Sequence, residues 1–490
     1  MANYYQVLGV SKDASPEEIR KAYLEAAKKL HPDRNLSPGD TEYFLKTQEA
    51  FDILSDSQRR SIYDASLPRT DVDQHSLTKK ITYSRQNLHS SKEPQLLYVL
   101  MEIIPSSRPP SNHPPSPLNI CLLIDRSTSM KGDKLEVVKA TAIQILRKMH
   151  PLNAISLVAF NDQAEILVPA SGDDDLGKME ARIQRLQTAG ATEIYKGLQS
   201  AFNEVSRAVQ PGTVNHIILL TDGRTYGDEV QCLELATRAS ELNIGISGLG
   251  IGNEWNDSFL DELARRTGGS CIYISNPSEI EQLLIAKFNL LSQVLVDNLE
   301  IRFEKTKGVN LDYAFRLTPE LGLLPVESPI QLGPEIQDKS LSVLFEFKVL
   351  ETGEANMIEL FRGTIGLSGE SLPRKDISTK VVFNRPVSIS SERQGPPPSA
   401  IFNALSKLSL YRLQEQAQME LSLGDTTKAA RHMKNLATRL LYDGNKELAR
   451  TVLLEAENIQ MNNAISLEGG KQIKYGTRAL LLPVKGARKP

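Results

Sequence analysis

The chain has 3 cysteines, Cys121, Cys232 and Cys271, with neither disulfide nor metal-ligand spacing between them. That excludes a disulfide-stapled scaffold or a zinc ribbon, and scattered thiols in odd number fit a reducing compartment. No stretch of about 18 uncharged apolar residues occurs, so no membrane-spanning helix is expected. No apolar core of the secretory type follows Met1. The formal net charge of −3 leaves no basic surplus for general nucleic-acid binding. No Gly-x-x-x-x-Gly-Lys-Ser/Thr loop, Ser nucleophile elbow or His-Glu-x-x-His helix appears. These absences point to a cytoplasmic protein that is not an enzyme and binds neither nucleic acid nor membrane. Its 490 residues suffice for several domains, at about 100–200 residues each.

Among the features present, the most specific is Leu30-His31-Pro32-Asp33-Arg34, set between two helix-patterned segments. Upstream, Ile19, Ala22, Tyr23, Ala26, Ala27 and Leu30 recur at helical spacing, with Arg20, Lys21 and Lys28 on the opposite face. Ser15-Pro16-Glu17-Glu18 supplies a cap hydroxyl, a proline for the first turn and acids for the positive end of the helix dipole. Downstream, Phe44, Ala50, Phe51 and Leu54 form a second apolar face. Pro32 biases His31 away from helical geometry, so a loop is expected there.

Residues 3–64 resemble the J-domain of the DnaJ/Hsp40 co-chaperones. The resemblance is carried by Tyr4-Tyr5-Gln6-Val7-Leu8-Gly9-Val10, Ile19-Arg20-Lys21-Ala22-Tyr23, the His-Pro-Asp loop, Glu49 to Asp56 and Arg59 to Asp64. Leu30 departs from it, where many members carry an aromatic residue. The resemblance implies a regulatory role: the basic helix face (Arg20, Lys21, Lys28) docks on an acidic face of an Hsp70 (DnaK-type) ATPase. His31, Pro32 and Asp33 then stimulate ATP hydrolysis. Exposed cations steer such an encounter, and an exposed carboxylate accepts a charge-assisted bond from a partner arginine. After Asp64 there is no Gly/Phe-rich segment and no Cys-x-x-Cys array. Partner choice must come from the remainder of the chain.

Residues 67–80 read as a polar linker and 81–104 as two strands, before a Ser/Pro-rich break at 105–117. From Leu118 short apolar runs alternate with amphipathic segments. The runs begin at 119, 154, 216, 244 and 271, and the segments span 133–149, 176–187, 194–208, 229–241 and 257–267. That alternation predicts a doubly wound, Rossmann-like α/β sheet whose ligands gather at the carboxyl ends of its strands. Asp125-Arg126-Ser127-Thr128-Ser129 follows the first strand, Thr192 lies in Gly190-Ala191-Thr192-Glu193-Ile194, and Asp222 closes the third. Two carboxylates and three hydroxyls make a hard oxygen site suited to Mg²⁺ (or Mn²⁺). The alternative, in which the hydroxyls only cap helices or turns, leaves the acid pair without a purpose.

This constellation, over 118–287, resembles the metal-ion-dependent adhesion site (MIDAS) of von Willebrand factor A (VWA) domains. The resemblance implies that Asp125, Ser127, Ser129, Thr192 and Asp222 hold the cation, and that an unknown protein partner supplies a carboxylate to it. Gly248-x-Gly250-x-Gly252 reads as a strand-end turn, since it lacks dinucleotide-loop spacing. His216 reads as a packed residue.

Residues 288–390 return to β alternation. With 81–104 they are expected to form one discontinuous, sandwich-like domain around the inserted VWA domain, since an isolated hairpin is only marginally stable. Residues 399–465 carry helical periodicity, and 466–490 read as a basic tail. This order of domains resembles bacterial intracellular A-domain proteins. The expectation is a multidomain chain: an all-α J-domain (1–66), the α/β domain, the β-sandwich-like domain and a C-terminal α-helical subdomain. Its function would be that of a co-chaperone bringing Hsp70 to a metal-held partner. The competing reading is a metal-dependent scaffold for complex assembly, with Hsp70 action secondary.

Overall fold

The computed structural model describes residues 4–8, 10, 14, 16–30, 47–56, 59–60, 77–105, 117–148, 150, 153–170, 175–210, 213–225, 227–337, 339–353, 355–368, 377–388 and 395–480. Two compact units emerge, Met1–Gln74 and His75–Pro490.

In the first unit, helices Tyr4–Leu8, Pro16–Leu30 and a third through 47–54 close on Leu8, Ala14, Ile19, Ala50 and Leu54. Tyr23 stacks on Phe51 with ring centroids 4.2 Å apart, and Tyr4 donates to Glu49 Oε1 at 2.7 Å. Ile19 and Tyr23 of the first apolar face read from the sequence, and Ala50, Phe51 and Leu54 of the second, pack in this core, while the side chain of Leu30 and all of Phe44 lie outside the described residues. Arg20 and Lys21, both exposed, lie on the helix Pro16–Leu30.

The second unit is built on a six-stranded sheet. Its order is Ala164–Val168, Ala154–Phe160, Leu118–Asp125, Val214–Thr221, Ile244–Ile251 and Cys271–Ile274. All pairings are parallel except that of the edge strand 164–168, which the sequence pattern did not reveal. All eight residues of Leu118–Asp125 are buried, as a strand covered on both faces requires. Leu118, Ile120, Leu122 and Ile124 face helices Asp133–Arg147, Leu176–Gln184 and Ile280–Leu291. Cys121 and Leu123 face Ile194–Arg207, Glu229–Glu241 and Asp257–Thr267. The period of two thus sorts one apolar run between two cores.

Two five-stranded sheets share a further core. One runs Leu77–Tyr83, Gln95–Pro105, Leu341–Val349, Val309–Thr318, Gly322–Leu323. The other runs Ile330–Ile336, Val294–Glu304, Met357–Ser368, Ile377–Ser388, Leu88–His89. Phe345 and Phe347 from one sheet meet Phe361 and Phe383 from the other. Each such fully buried side chain contributes about 1.5–3 kcal/mol. The strand Gln95–Pro105 pairs with Leu341–Val349, with the whole α/β domain between them in sequence. Helix Ser399–Ser422 covers the outer face of the first sheet, setting Ile401, Leu408 and Tyr411 on Leu100, Phe315 and Leu344. Helices Thr426–Tyr442, Lys446–Asn462 and Leu467–Ala479 complete the helical layer.

Several expected boundaries move. Residues 77–80, assigned to the linker, begin an edge strand. Lys79 and Lys80 made it look like linker, and lysines are what a sheet edge uses to discourage further pairing. The region 81–104 holds parts of three strands rather than two. Residues 288–291, assigned to the β domain, end the helix Ile280–Leu291. Gly248 and Gly250 lie within a strand, not a turn; a Cβ on Gly250 would come 2.0 Å from Trp255 Cε2. The described part of the tail forms the docked helix Leu467–Ala479, capped by Ser466, which accepts from Gly469 N; 481–490 lie outside the described residues.

The sandwich meets the α/β layer through Arg316, which is fully buried. Its guanidinium donates to the carbonyls of Gly268 at 2.9 Å, Gly269 at 2.7 Å, Leu332 at 2.7 Å and Glu320 at 2.8 Å. Arg316→Met leaves those carbonyls without this donor, and we expect a loss on the order of 3–5 kcal/mol. Denaturant unfolding of the full chain is the measurement. An unchanged midpoint would show that Arg316 does not lock the layers.

Candidate functional site

The first parallel strand Leu118–Asp125 has Ala154–Phe160 on one side and Val214–Thr221 on the other. Successive connections leave in opposite directions from the gap between Leu118–Asp125 and Val214–Thr221. Such a switch point opens a crevice at the carboxyl ends of the strands. Asp125 ends one of these strands and Asp222 follows the other.

Both carboxylates are buried, Asp125 at 0% and Asp222 at 2% exposure. Asp125 Oδ1 accepts from Ser127 N at 2.8 Å, and Oδ2 accepts from Thr221 Oγ1 at 2.6 Å. Ser129 Oγ donates to Asp222 Oδ1 at 2.6 Å and lies 3.0 Å from Ser127 Oγ. Hydroxyls therefore run from one acid toward the other. Burial pushes the Asp125 carboxyl above the usual range; its hydrogen bonds oppose the shift and the neighbouring Asp222 adds to it.

Thr192 arrives on a separate loop, pinned by backbone bonds. Ala189 N donates to Arg126 O at 2.8 Å, Thr128 N to Gly190 O at 3.3 Å and Glu193 N to Asn161 O at 2.9 Å. Gly190 takes a left-handed φ of +72° with Asp162 and Asn161 against it, so a side chain there is excluded twice over. A Cβ on Gly223 would lie 2.8 Å from Thr192 Oγ1. The glycine after Asp222 is what lets Thr192 reach the cluster. Of the five residues singled out by spacing, Asp125, Ser127, Ser129 and Asp222 are engaged in these hydrogen bonds, and Thr192 lies against Gly223, next to Asp222.

Sequence reasoning missed two participants. Thr221 holds Asp125 from the adjacent strand, a contact no local pattern shows. Lys134 Nζ sits 2.5 Å from Asp222 Oδ2 and 3.2 Å from Ser129 O. The signal was a cation in the first turn of the helix Asp133–Arg147, just beyond the Ser127–Ser129 loop. With it the cluster holds two carboxylates and one ammonium. Among the described residues no group of three or more His, Cys, Asp or Glu could hold a metal ion. A cation site here is one of acids and hydroxyls. His31, Pro32 and Asp33 lie outside the described residues, as does the side chain of Lys28.

Comparison with known proteins identifies the domains. Residues 3–64 match the family model of the DnaJ domain, 119–285 that of the von Willebrand factor type A domain, and 399–483 that of the Sll0103-like, C-terminal alpha-helical domain. The chain joins a DnaJ domain to a VWA domain. Its VWA-containing part is similar to an uncharacterised protein of Synechocystis sp., 26% identical over 382 residues, covering 74% of this chain and 86% of that one. Its DnaJ domain is 50% identical to the chaperone protein DnaJ of Methanosarcina thermophila over 62 residues. That match spans 13% of this chain and 16% of the relative. Two solved structures share the fold. A von Willebrand factor type A protein from Catenulispora acidiphila has a TM-score of 0.65 at 15% identity, covering 83% of this chain and 97% of that one. The ArnB paralog VWA2 from Sulfolobus acidocaldarius has 0.51 at 16%, covering 83% and 99%. Both cover far more than the VWA domain alone. Among the described residues no helix is long and apolar enough to cross a membrane.

Lys134→Met removes the ammonium from a buried carboxylate. In EDTA the variant should lose about 1–3 kcal/mol of stability, the worth of a charge-assisted bond, read as a lower thermal midpoint. A variant as stable as wild type in EDTA would mean the ion pair contributes nothing.

Proposed function

We propose that this protein is a cytoplasmic co-chaperone: its DnaJ domain stimulates an Hsp70 (DnaK-type) ATPase, and its VWA domain brings that ATPase to a protein partner held through Mg²⁺ (or Mn²⁺). It carries out no reaction of its own. The observation that carries the reading is the gathering of Asp125, Ser127, Ser129, Thr192 and Asp222 at the switch point of a DnaJ-linked VWA domain.

The donor set fits a hard divalent cation: all oxygen, two of them carboxylates, with hydroxyls to fill further positions. Burial raises the Asp125 carboxyl, with the charge of Asp222 a lesser cause, and a bound cation would favour the ionised form against both. A bound cation would supply an electrophilic anchor for a partner's carboxylate. The chain's own residues do the rest. Thr221 and the Ser127 backbone fix the direction of Asp125, Ser129 fixes Asp222, and Lys134 offsets part of the acid charge.

On the DnaJ domain, Arg20 and Lys21, with Lys28 on the same helix, would steer an acidic face of the ATPase into place. His31, Pro32 and Asp33 would then act on it. Because both domains lie on one chain, Hsp70 recruited by one is held at high local concentration beside whatever the other holds.

His31→Gln should leave the helical circular dichroism unchanged and reduce stimulation of a cognate Hsp70 ATPase to the unstimulated rate. Stimulation equal to wild type would sink the co-chaperone reading. A wild-type chain that captures a partner yet never stimulates the ATPase would instead be a metal-dependent assembly scaffold.

Asp125→Ala should abolish Mg²⁺ binding and partner capture together and spare ATPase stimulation. Pull-downs with and without EDTA, alongside calorimetry, read the first pair. The thermal midpoint offers an independent check. Wild type should gain about 2.7 kcal/mol at Mg²⁺ a hundredfold above its Kd, while the variant stays indifferent. A wild-type chain that shows no heat with Mg²⁺ and no shift in midpoint ends the metal assignment.

A further inference from the structure

Three layers of the larger unit meet around one cavity of about 270 Å³. The helix Asp257–Thr267 walls it on the α/β side and Leu321 to Leu323 on the sandwich side. Helices Ser399–Ser422 and Leu467–Ala479 close the rest. None of the residues of the oxygen cluster lines it.

The charges on its walls cancel: Asp261, Glu262 and Glu415 against Arg265, Lys474 and Arg478. Most are engaged. Arg478 grips Asp261 through two bonds of 2.7 Å and donates to Tyr411 Oη at 2.9 Å. Lys474 bridges Asp257 and Asp261. Arg265 holds Glu262 through bonds of 2.6 and 2.8 Å.

Three buried atoms on this lining have no protein partner. Gln414 is 2% exposed, yet neither its Nε2 nor its Oε1 is hydrogen-bonded. Arg478 Nε is likewise without an acceptor. Buried polar side-chain atoms nearly always have partners. Here a whole amide and a guanidinium N–H are left over at one place. A concave space at a domain junction with a few convergent polar groups is the usual setting of a small-molecule site.

The chemistry of the unpartnered atoms narrows the ligand. A primary amide offers donors and an acceptor side by side, and another primary amide, turned head to tail, satisfies both at once. Arg478 Nε–H calls for an anionic or carbonyl oxygen. Walls of zero formal charge disfavour a ligand with net charge, because a buried charge needs a counter-charge. We propose that this junction cavity binds a small zwitterionic amino acid bearing a side-chain carboxamide, glutamine or asparagine. Its carboxamide pairs with Gln414, its carboxylate meets Arg478, and its ammonium meets the Glu415 carboxyl. Burial raises the Glu415 carboxyl above its usual range, and a ligand ammonium would relieve that. The occupant would brace the helical layer against the α/β layer.

Calorimetry on the full chain with L-glutamine, L-asparagine, L-glutamate and nicotinamide tests this. Glutamine or asparagine should bind and raise the thermal midpoint. Glutamate, with an added charge, and nicotinamide, with no zwitterion, should bind at least about tenfold more weakly. Gln414→Leu fills similar space without an amide and should lose about tenfold or more in affinity. If that variant unfolds early, Glu415→Gln provides the second reading and should weaken binding of the preferred amino acid. The proposal is overturned if neither amide amino acid binds at millimolar concentration, trapped water then being the only occupant. Equal binding by wild type and a folded Gln414→Leu overturns it too, as does glutamate or nicotinamide binding as well as the amides.

Discussion

One buried guanidinium holds the larger unit in register. Arg316 comes from a sandwich strand and spends its donors on four carbonyls, two of them on the Gly268–Gly269 turn that ends the helix Asp257–Thr267. Both surfaces had to be stripped to backbone for this approach. Gly268 closes its helix at φ +71°, and a Cβ on Gly333 would lie 2.2 Å from Arg316 Nη1. Beside it, buried Lys287 donates to Glu320 at 2.6 Å and to Ser270 at 3.0 Å, and Ser247 takes the His216 ring at 2.9 Å. Burial, with Lys287 and Arg316 nearby, holds His216 well below its ordinary pKa. It is neutral filling in a polar seam, as its place at the head of an apolar strand implied.

That seam sits at the amino ends of the parallel strands. The oxygen cluster sits at their carboxyl ends. In a parallel sheet these are opposite edges, so the sandwich is clamped without covering the crevice at Asp125 and Asp222. Insertion of the α/β domain into the sandwich follows the same logic. The chain enters the sheet after sandwich strand Gln95–Pro105 and returns through Val294–Glu304.

Much of the site was legible because its information is local. Asp125, Ser127 and Ser129 alternate in one loop after a run of buried apolar residues, and Thr192 and Asp222 close short motifs of their own. What escaped was carried by long-range contact. Thr221 and Lys134 join the cluster only once strands and helix are in place. The edge strand Leu77–Tyr83 hid behind its lysines. The helix Leu467–Ala479 hid behind Gly469-Gly470, two residues that argue against a helix interior. The fold explains the first of them: a Cβ on Gly469 would come 2.2 Å from Glu455 Oε1, which also accepts from Ser466 Oγ at 2.5 Å. That glycine admits the cap that starts the helix.

That same helix grips one of the loops at the carboxyl ends of the parallel strands. Lys471 donates to the carbonyls of Asn253 at 2.7 Å and Trp255 at 2.5 Å and lies over the Trp255 ring. Between those carbonyls is that of Glu254, which accepts from Arg224 Nε at 2.9 Å. Arg224 is two residues from Asp222. The loop carrying one buried acid is therefore braced by the loop that the C-terminal helix grips. Lys471 is held by backbone dipoles and a ring face rather than by a direct carboxylate bond, and burial lowers its pKa to about 8. Backbone dipoles and a π-face hold an ammonium more strongly where water is scarce. The brace on the Asp222 loop thus depends on the helical layer staying closed over Trp255.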